Sequence, residues 1–214
     1  SSAASDVYKR QQSNDGLRAM FTMMNNARLG VGGQGIGVAE AAFQHATHYA
    51  LNRKQGKATV PDANGTIIDH ADVRRMLISM RADIFASRSL ELENAKAIDM
   101  ANATGEIEWV NRAAFLTPIT KVFGTEIGVN ISYLGVQIHG GMGFIEETGA
   151  AQFSRDVRVT AIYEGTNGIQ AMDLVGRKMM DNGETAYAII NEIKEYIDNL
   201  SICLLYTSPS PRDG

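Results

Sequence analysis

Cysteine and proline are scarce in this sequence of 214 residues. The single cysteine, Cys203, excludes a disulfide framework and a metal site built from several thiolates. Two of the four prolines lie in the last six residues, so little in the rest of the chain interrupts a helix. Together with 21 glycines, this composition favours long helices joined by glycine-rich loops.

An excess of positive charge is also missing, because the formal net charge is −4 and lysine and arginine form no stripe. This argues against a nucleic-acid partner. No apolar run approaches the roughly 20 residues of a membrane-spanning helix, and residues 1–11 lack the apolar segment of a signal peptide. We therefore expect no nucleic-acid or membrane partner, and a location in the bacterial cytoplasm, with the mitochondrial matrix as the alternative.

Apolar residues recur at helical spacing along most of the chain. The pattern predicts helices over residues 17–53, 69–102, 109–127, 150–155 and 166–180, and a last helix that begins after Gly183. Asp69 is the predicted N-cap of the second helix, Gly105 its stop, and Pro118 predicts a kink or a break in the third. Residues 30–37 predict a weakened first helix, and residues 135–149 a loop. Nothing reads as a strand, so we expect an all-α, up-and-down helical bundle.

Three motifs suggest functions that their surroundings do not support. Residues 30–35, GVGGQG, match G-x-G-x-x-G, but a helical pattern precedes them, which favours close packing of two helices over dinucleotide binding. Residues 139–143, HGGMG, are similar to a lipase oxyanion loop, yet no G-x-S-x-G nucleophile motif is present. His45 and His48 lack further ligands at metal-binding spacing, so we predict an exposed helix face and no metal site.

Two charged motifs leave a functional alternative open. Residues 53–57, RKQGK, form either a surface charge cluster or a cationic site for a phosphate group. In residues 161–171, AIYEGTNGIQA, Glu164 stands before Gly165 with no histidine, cysteine or serine nearby. This glutamate either caps a helix or acts as a base, which Gly165 brings close to a substrate because a glycine lets the backbone approach.

Both ends of the chain differ from the sequence between them. Residues 1–11 and 201–214 do not continue the neighbouring helical pattern, and they resemble translated sequencing-adapter DNA. We expect a non-native leader over residues 1–11, a helical-bundle domain over residues 12–200 and a non-native tail over residues 201–214. On this interpretation the domain is a fragment of a longer gene product.

Residues 135–171, GVQIHGGMGFIEETGAAQFSRDVRVTAIYEGTNGIQA, strongly resemble the signature near the C-terminus of the acyl-CoA dehydrogenases: Q-x-x-G-G-x-G, then R-D, then I-Y-E-G-T. Residues 27–57 are similar to the first helix of that family's C-terminal helical domain, and the resemblance covers residues 14–195. Residues 53–57, 70–77 and 167–179 are most similar to the branch of larger members that includes 3-methylmercaptopropionyl-CoA dehydrogenases.

The resemblance implies an FAD-dependent α,β-dehydrogenation of an acyl-CoA thioester. Glu164 corresponds to the base that removes the α-proton while hydride passes to the flavin, and its backbone N–H corresponds to a donor that polarises the thioester carbonyl. Gly165 is the implied substrate contact beside it. An electron-transfer flavoprotein is the implied acceptor, and a homodimer or homotetramer the implied assembly, because the family's FAD site is shared between subunits.

The same resemblance implies contacts to FAD. Arg53 corresponds to a residue that reaches the FAD pyrophosphate of a neighbouring subunit. Gln137, Gly140 and Gly141 correspond to the loop at the adenine end, where the paired glycines allow close backbone approach. Thr166 corresponds to a further FAD contact.

Arg28 and Asn25 correspond to a pair that binds the CoA portion. The chain departs from the family pattern at three places. Asn25 stands where many members carry an acid, Gly168 stands where glutamine is common, and the aromatic residue that usually follows the basic pair Arg53-Lys54 is missing.

The family's N-terminal helical domain and the β-barrel that holds its flavin ring have no counterpart in these residues. We therefore expect the 214 residues alone to bind FAD weakly or not at all. The alternatives are an acyl-CoA oxidase, which shares the fold and the base but passes electrons to oxygen, and a catalytically silent helical module for oligomerisation or binding.

Overall fold

A computed structural model describes residues 16–60 and 62–204. In this part the chain forms seven α-helices: α1 (Gly16–Asn52), α2 (Ala71–Thr104), α3 (Ile107–His139), α4 (Gly141–Phe144), α5 (Ala150–Val157), α6 (Asn167–Asp173) and α7 (Glu184–Leu204). Three 3-10 turns lie at Ile67–Asp69, Glu146–Thr148 and Arg158–Ala161, and a π-helical turn, Leu174–Lys178, continues α6. Over the described residues extended pairing is limited to one isolated bridge, Lys54 with Thr66. The prediction of an all-α fold is confirmed.

The three long helices run up, down and up. Gly33 of α1 lies against Glu91 of α2, whereas Phe43, farther along α1, lies under the guanidinium of Arg81. The residue numbers rise on one helix as they fall on the other, so α1 and α2 are antiparallel. Two residues, 105 and 106, join α2 to α3, so these helices also reverse direction. Helix α3 therefore runs parallel to α1, and the predicted up-and-down bundle is confirmed.

The apolar core lies where these three helices meet. The side chains that α1 contributes are small, and those of the other two helices are large: Ala39, Ala42, Ala46 and Ala50 from α1, Met76, Leu77, Met80 and Ile84 from α2, and Ile127, Ile131 and Ile138 from α3. Small residues on one helix and large ones on its neighbours allow close packing without voids.

Helix α1 is not weakened at residues 30–37, where the sequence predicted it. Two glycines of this stretch, Gly32 and Gly35, face the backbone of α3: a Cβ built on Gly35 would lie 2.4 Å from the carbonyl oxygen of Gly124, and one on Gly128 would lie 2.7 Å from that of Gly35. We call Gly32, Gly35, Gly124 and Gly128 the glycine contact. Backbone packing against α3 offsets the poor helix propensity of glycine, and the interpretation of residues 30–35 as a helix-packing motif is supported.

Helix α3 differs from prediction at two points. It passes through Pro118 without a break and continues to His139, so the predicted loop over residues 135–149 is wrong for its first five residues. Gly135 lies beside Ala42 of α1, and a Cβ there would be 3.6 Å from the Ala42 carbonyl oxygen. Tertiary packing thus extends the helix beyond the point where a glycine suggests its end.

The start of α2 also differs, whereas most other helix ends agree with the prediction. His70, not Asp69, is the N-cap residue; Asp69 ends the preceding 3-10 turn, and its carboxylate accepts a hydrogen bond from the N–H of Asn64 at 3.1 Å. Gly105 ends α2 with φ 70°. Helix α7 extends four residues into the predicted tail, while residues 1–11 and 205–214 lie outside the described residues.

Candidate active site

Glu164 lies on a tight turn before α6, which we call the Glu164 turn (residues 163–166). The backbone φ is 56° at Glu164 and 85° at Gly165. Only two other non-glycine residues in the described ranges have positive φ, Asp62 and Asn182, and both are of types that tolerate this region. Because a left-handed glutamate costs about 1 kcal/mol or more, contacts from elsewhere in the fold must hold this turn.

Two side chains hold the carbonyl oxygen of Glu164. Arg28 of α1 donates to it from Nε at 3.4 Å, and Gln170 of α6 donates from Nε2 at 3.2 Å. Gln170 is fully buried and also donates to the Gly165 carbonyl oxygen at 3.4 Å. A Cβ on Gly165 would lie 2.7 Å from Gln170 Nε2. Glycine is therefore required next to Glu164 both for its positive φ and for space.

Arg28 is itself anchored by the buried carboxylate of Asp173 and by the exposed amide of Asn25. Its side chain is 4% exposed, and Nη1 donates to Asp173 at 3.2 Å and to Asn25 at 3.1 Å. Burial raises the pKa of Asp173, but the hydrogen bond and charge of Arg177, with the charges of Lys178 and Arg28, bring it below its usual value. Asp173 therefore stays ionised and compensates the buried guanidinium.

Arg28 and Asn25 line a cavity of about 350 Å³ between α1, α2, α3 and the residues after α6. Asn26, Asn102 and Lys178 add polar groups to its wall. The predicted contact of Arg28 and Asn25 with CoA stays a prediction. The hydrogen bond to Glu164 gives Arg28 a structural role in addition.

Lys121 of α3 contacts the residue that directly follows the Glu164 turn. Its side chain is fully buried, and Nζ donates to Oδ1 of Asn167, the first residue of α6, at 2.8 Å. Burial lowers the pKa of Lys121 to about 8; the charge of Arg28 adds to this effect, and the charges of Glu126 and Glu164 oppose it. A buried ammonium thus lies within electrostatic reach of Glu164.

The sequence analysis did not single out Lys121, although a signal was present. Lys121 lies in the same helical phase as Thr117, Gly124 and Gly128, and all three are buried. A single lysine on a face of small, uncharged residues is unusual, because lysine is rarely buried without a partner.

Two groups of Glu164 have no partner. Its side chain is half-buried, and neither its carboxylate nor its backbone N–H makes a hydrogen bond with the described part of the chain. The backbone is therefore held through its carbonyl while a proton acceptor and a hydrogen-bond donor remain available on one residue. Such a pair can accept a proton from a carbon acid and polarise the adjoining carbonyl.

A family model described as "Acyl-CoA dehydrogenase, C-terminal domain" matches residues 14–180. This chain belongs to the acyl-CoA dehydrogenase family. It is 50% identical over 181 residues to 3-methylmercaptopropionyl-CoA dehydrogenase of Ruegeria pomeroyi, covering 82% of this chain and 31% of the relative. The resemblance to that branch is thereby confirmed.

Two butyryl-CoA dehydrogenases extend the comparison. The enzyme of Syntrophomonas wolfei is 35% identical over 192 residues, which cover 86% of this chain and 31% of the relative. The solved structure from Megasphaera elsdenii superimposes with a TM-score of 0.64 at 27% identity, covering 77% of this chain and 39% of that one. The chain thus spans 31% of the length of each of the two curated relatives.

The residues predicted to contact FAD fall into two groups in this acyl-CoA dehydrogenase domain. Thr166 belongs to the Glu164 turn, where its Oγ1 caps α6 by accepting from the N–H of Ile169 at 3.4 Å. Arg53, Gln137, Gly140 and Gly141 lie at the far end of the bundle, where α1 and α3 end. That end is roughly 37 Å along α1 from Arg28, at 1.5 Å per residue.

The far group has the features that a nucleotide site needs. Gly140 and Gly141 are exposed, and a Cβ on either would meet nothing within 4 Å, so their backbone is open to close approach. Arg53 and Gln137 are exposed beside them and offer a cation and an amide. The buried ring of His139 stacks on Tyr49 at 4.3 Å between ring centroids and ties the two helix ends together.

The described ranges contain neither a candidate metal site nor a candidate membrane-spanning helix. No group of three histidine, cysteine or acidic side chains there is placed to hold a metal ion. None of the helices in that part of the chain has the length and apolar character to cross a membrane.

Proposed function

We propose that this chain is the helical domain that carries the catalytic base of an FAD-dependent acyl-CoA dehydrogenase, with Glu164 as the base. The observation that carries the proposal is the Glu164 turn. Arg28 and Gln170 hold its backbone, while the Glu164 carboxylate and N–H have no partner among the described residues. A glutamate with a purely structural role would have its carboxylate paired and no reason for a strained backbone.

The chemistry follows from the position of these groups. The α-proton of a thioester is weakly acidic, so the base must be oriented before substrate arrives and shielded from water once it is bound. The carboxylate of Glu164 takes the α-proton, and its N–H donates to the thioester carbonyl, which stabilises the negative charge that develops there. FAD, when bound, supplies the oxidant that accepts the β-hydrogen as hydride.

The far group holds the adenine end and the pyrophosphate of FAD in this proposal. Arg53 provides charge for the pyrophosphate, and Gln137, Gly140 and Gly141 provide the amide and the open backbone. The long separation between this group and the Glu164 turn supports a cofactor shared between two copies of the chain. A homodimer or homotetramer is therefore part of the proposal, as is a longer polypeptide that supplies the flavin-ring domain.

The substrate is an acyl-CoA, and an electron-transfer flavoprotein is the acceptor that we propose. An acyl-CoA oxidase would use the same base and differs only in passing electrons to oxygen. Hydrogen peroxide formation during turnover separates the two: its absence supports the dehydrogenase, and stoichiometric peroxide supports the oxidase.

The test is Glu164→Gln in the full-length protein that contains this domain. We expect turnover with acyl-CoA to fall roughly 10³-fold, with the flavin absorbance per protomer unchanged. Glu184→Gln, at an exposed position in the first turn of α7, is the matched control and should retain full activity. Full turnover by Glu164→Gln, or full-length protein that binds neither FAD nor acyl-CoA, would overturn the proposal.

A further inference from the structure

The most unusual buried group in the described part of the chain is the ammonium of Lys121. It is the largest side chain among those that are fully buried, yet it has no carboxylate within ion-pair distance in the described ranges. The single group that Nζ contacts is the neutral amide oxygen of Asn167. An uncompensated buried charge destabilises a fold, so this lysine requires an explanation other than stability.

Asn167 connects Lys121 to the Glu164 turn. It directly follows Thr166 and is the first residue of α6. Its Oδ1 accepts from Lys121 Nζ at 2.8 Å, and its Nδ2 donates to Glu126 at 2.6 Å and to Thr125 at 3.1 Å. Because an ammonium can only donate and a carboxylate can only accept, Lys121 and Glu126 together determine which way the amide of Asn167 points, and the amide in turn ties the start of α6 to α3.

Charge connects Lys121 to Glu164 as well. The charged groups that act on Lys121 are Arg28 on α1, Glu126 on its own helix and Glu164 on the turn. Glu126 is occupied by Asn167, and Arg28 is compensated by Asp173. The carboxylate of Glu164 has no such partner, so the ammonium of Lys121 acts on it without local compensation. The charge of Glu164 favours the ammonium form of Lys121, so the two groups are electrostatically coupled.

We propose that Lys121 is the positioning residue of the base: its buried ammonium holds Asn167, the residue that follows the Glu164 turn, and places a positive charge within electrostatic reach of Glu164. This inference rests on the proposed role of Glu164. On this proposal the buried lysine serves to position the base, and it does not stabilise the bundle.

The first test measures the coupling without any activity. In the full chain with ¹⁵N-labelled lysine, NMR follows the titration of Lys121 Nζ, assigned by its loss in Lys121→Arg. Because the charge of Glu164 raises the pKa of Lys121, we expect Glu164→Gln to lower the titration midpoint by about half a pH unit. Glu184→Gln should leave it in place. Equal midpoints in the wild type and in Glu164→Gln would overturn the proposal.

The second test uses the full-length enzyme and measures kcat and KM separately. We expect Lys121→Met to lower kcat about tenfold, with KM and flavin content unchanged. Lys121→Arg keeps a charged donor and should restore kcat. Asn167→Ala removes the other half of the contact and should lower kcat by a similar factor. Lys194→Met, at an exposed position of α7, is the control.

The outcomes separate the two proposals. If Glu164→Gln remains active, the role of Glu164 fails and the inference about Lys121 fails with it. If Glu164→Gln is inactive but Lys121→Met has the same kcat as Lys194→Met, Glu164 remains the base and only the role of Lys121 is overturned. If Lys121→Met does not fold, the titration of Lys121 in Glu164→Gln decides, because that measurement needs no change at Lys121.

Discussion

Helices α1 and α3 meet in two adjacent regions of opposite character. At the glycine contact, side chains are missing and the two backbones touch. One turn earlier, Arg28 and Lys121 of the same two helices bury a guanidinium and an ammonium beneath the Glu164 turn. Arg28 precedes Gly32 by four residues, and Lys121 precedes Gly124 by three.

The two regions depend on different forces. The glycine contact is steric: it fails only if atoms are added, and it has no titrating group. The charged region is electrostatic: it fails if a partner is removed, and its strength changes with pH. We infer that the glycine contact sets the distance between the helices, so that the long side chains of Arg28 and Lys121 can meet the turn above them.

Removing one charge from the buried ion pair should have the largest effect. Arg28→Met leaves Asp173 with Arg177 as its ion-pair partner and leaves the carbonyl of Glu164 with Gln170 as its donor, so we expect the free energy of unfolding to fall by about 3 kcal/mol. Urea unfolding of the chain measures this. Arg75→Met, which removes an exposed pair with Asp72, should cost about 0.5 kcal/mol or less. Similar losses in both variants would show that the buried charges do not differ from surface ones.

Adding one methyl group to the glycine contact should have the second-largest effect on the free energy of unfolding. In Gly35→Ala the new Cβ meets the Gly124 carbonyl oxygen at 2.4 Å, and only backbone movement can relieve this, so we expect a loss of about 2 kcal/mol. Gly37→Ala, in the same helix but with nothing within 4 Å, should gain roughly 0.5–1 kcal/mol through helix propensity. If both alanines stabilise the chain, α1 and α3 are farther apart than described.

The change of stability with alkaline pH should also distinguish the two regions, and we expect this effect to be smaller. The folded pKa of Lys121 is lowered to about 8 from 10.5, so between these values the unfolded chain binds more protons and stability rises with pH. Between pH 8 and 9 we expect the wild type to gain about 1 kcal/mol relative to Lys121→Met. The difference between the wild type and Gly35→Ala should stay constant over the same range. Thermal unfolding at several pH values measures both, and a wild type that loses stability relative to Lys121→Met contradicts the assignment.

Thr166, at the exposed end of the charged region, should contribute least to the free energy of unfolding. Thr166 caps α6 with a long hydrogen bond to the N–H of Ile169, so Thr166→Ala should cost about 0.5 kcal/mol. Thr166→Ser keeps the hydroxyl and should match the wild type in the same urea titration. A loss as large as that of Arg28→Met would mean that the cap, and not the buried charge, holds the turn.

Half of the glycine contact could be predicted from the sequence, and the charged region only in part. The G-x-G-x-x-G motif within a helical pattern indicated that α1 packs closely against another helix, but not that Gly124 and Gly128 lie opposite it. Glu164 and Gly165 were singled out from their own residues, and the family resemblance favoured a base over a helix cap. Arg28, which holds the carbonyl of Glu164, lies 136 residues away, and Lys121, on which the charge of Glu164 acts, lies 43 residues away; helical periodicity within one segment gives no information about which helices meet there.

The extent of α3 shows a related limit. Gly135 and Gly140 are the same residue type in one short stretch, and local propensity predicts a helix end at the first. The helix continues because Gly135 lies against α1, and it ends at Gly140, which has φ 61°. The choice between the two positions was made by a contact with Ala42, which is far away in the sequence.

The left-handed backbone at Glu164 has a consequence for how this family diverges. On the proposed role of Glu164, selection for turnover keeps a glutamate where the backbone itself favours glycine by about 1 kcal/mol. In a gene copy released from that selection, Glu164→Gly becomes a stabilising step that needs no compensation elsewhere. A relative with glycine at this position, while the counterparts of Arg28, Gln170 and Gly165 persist, would therefore have lost this base but kept the turn that presents it.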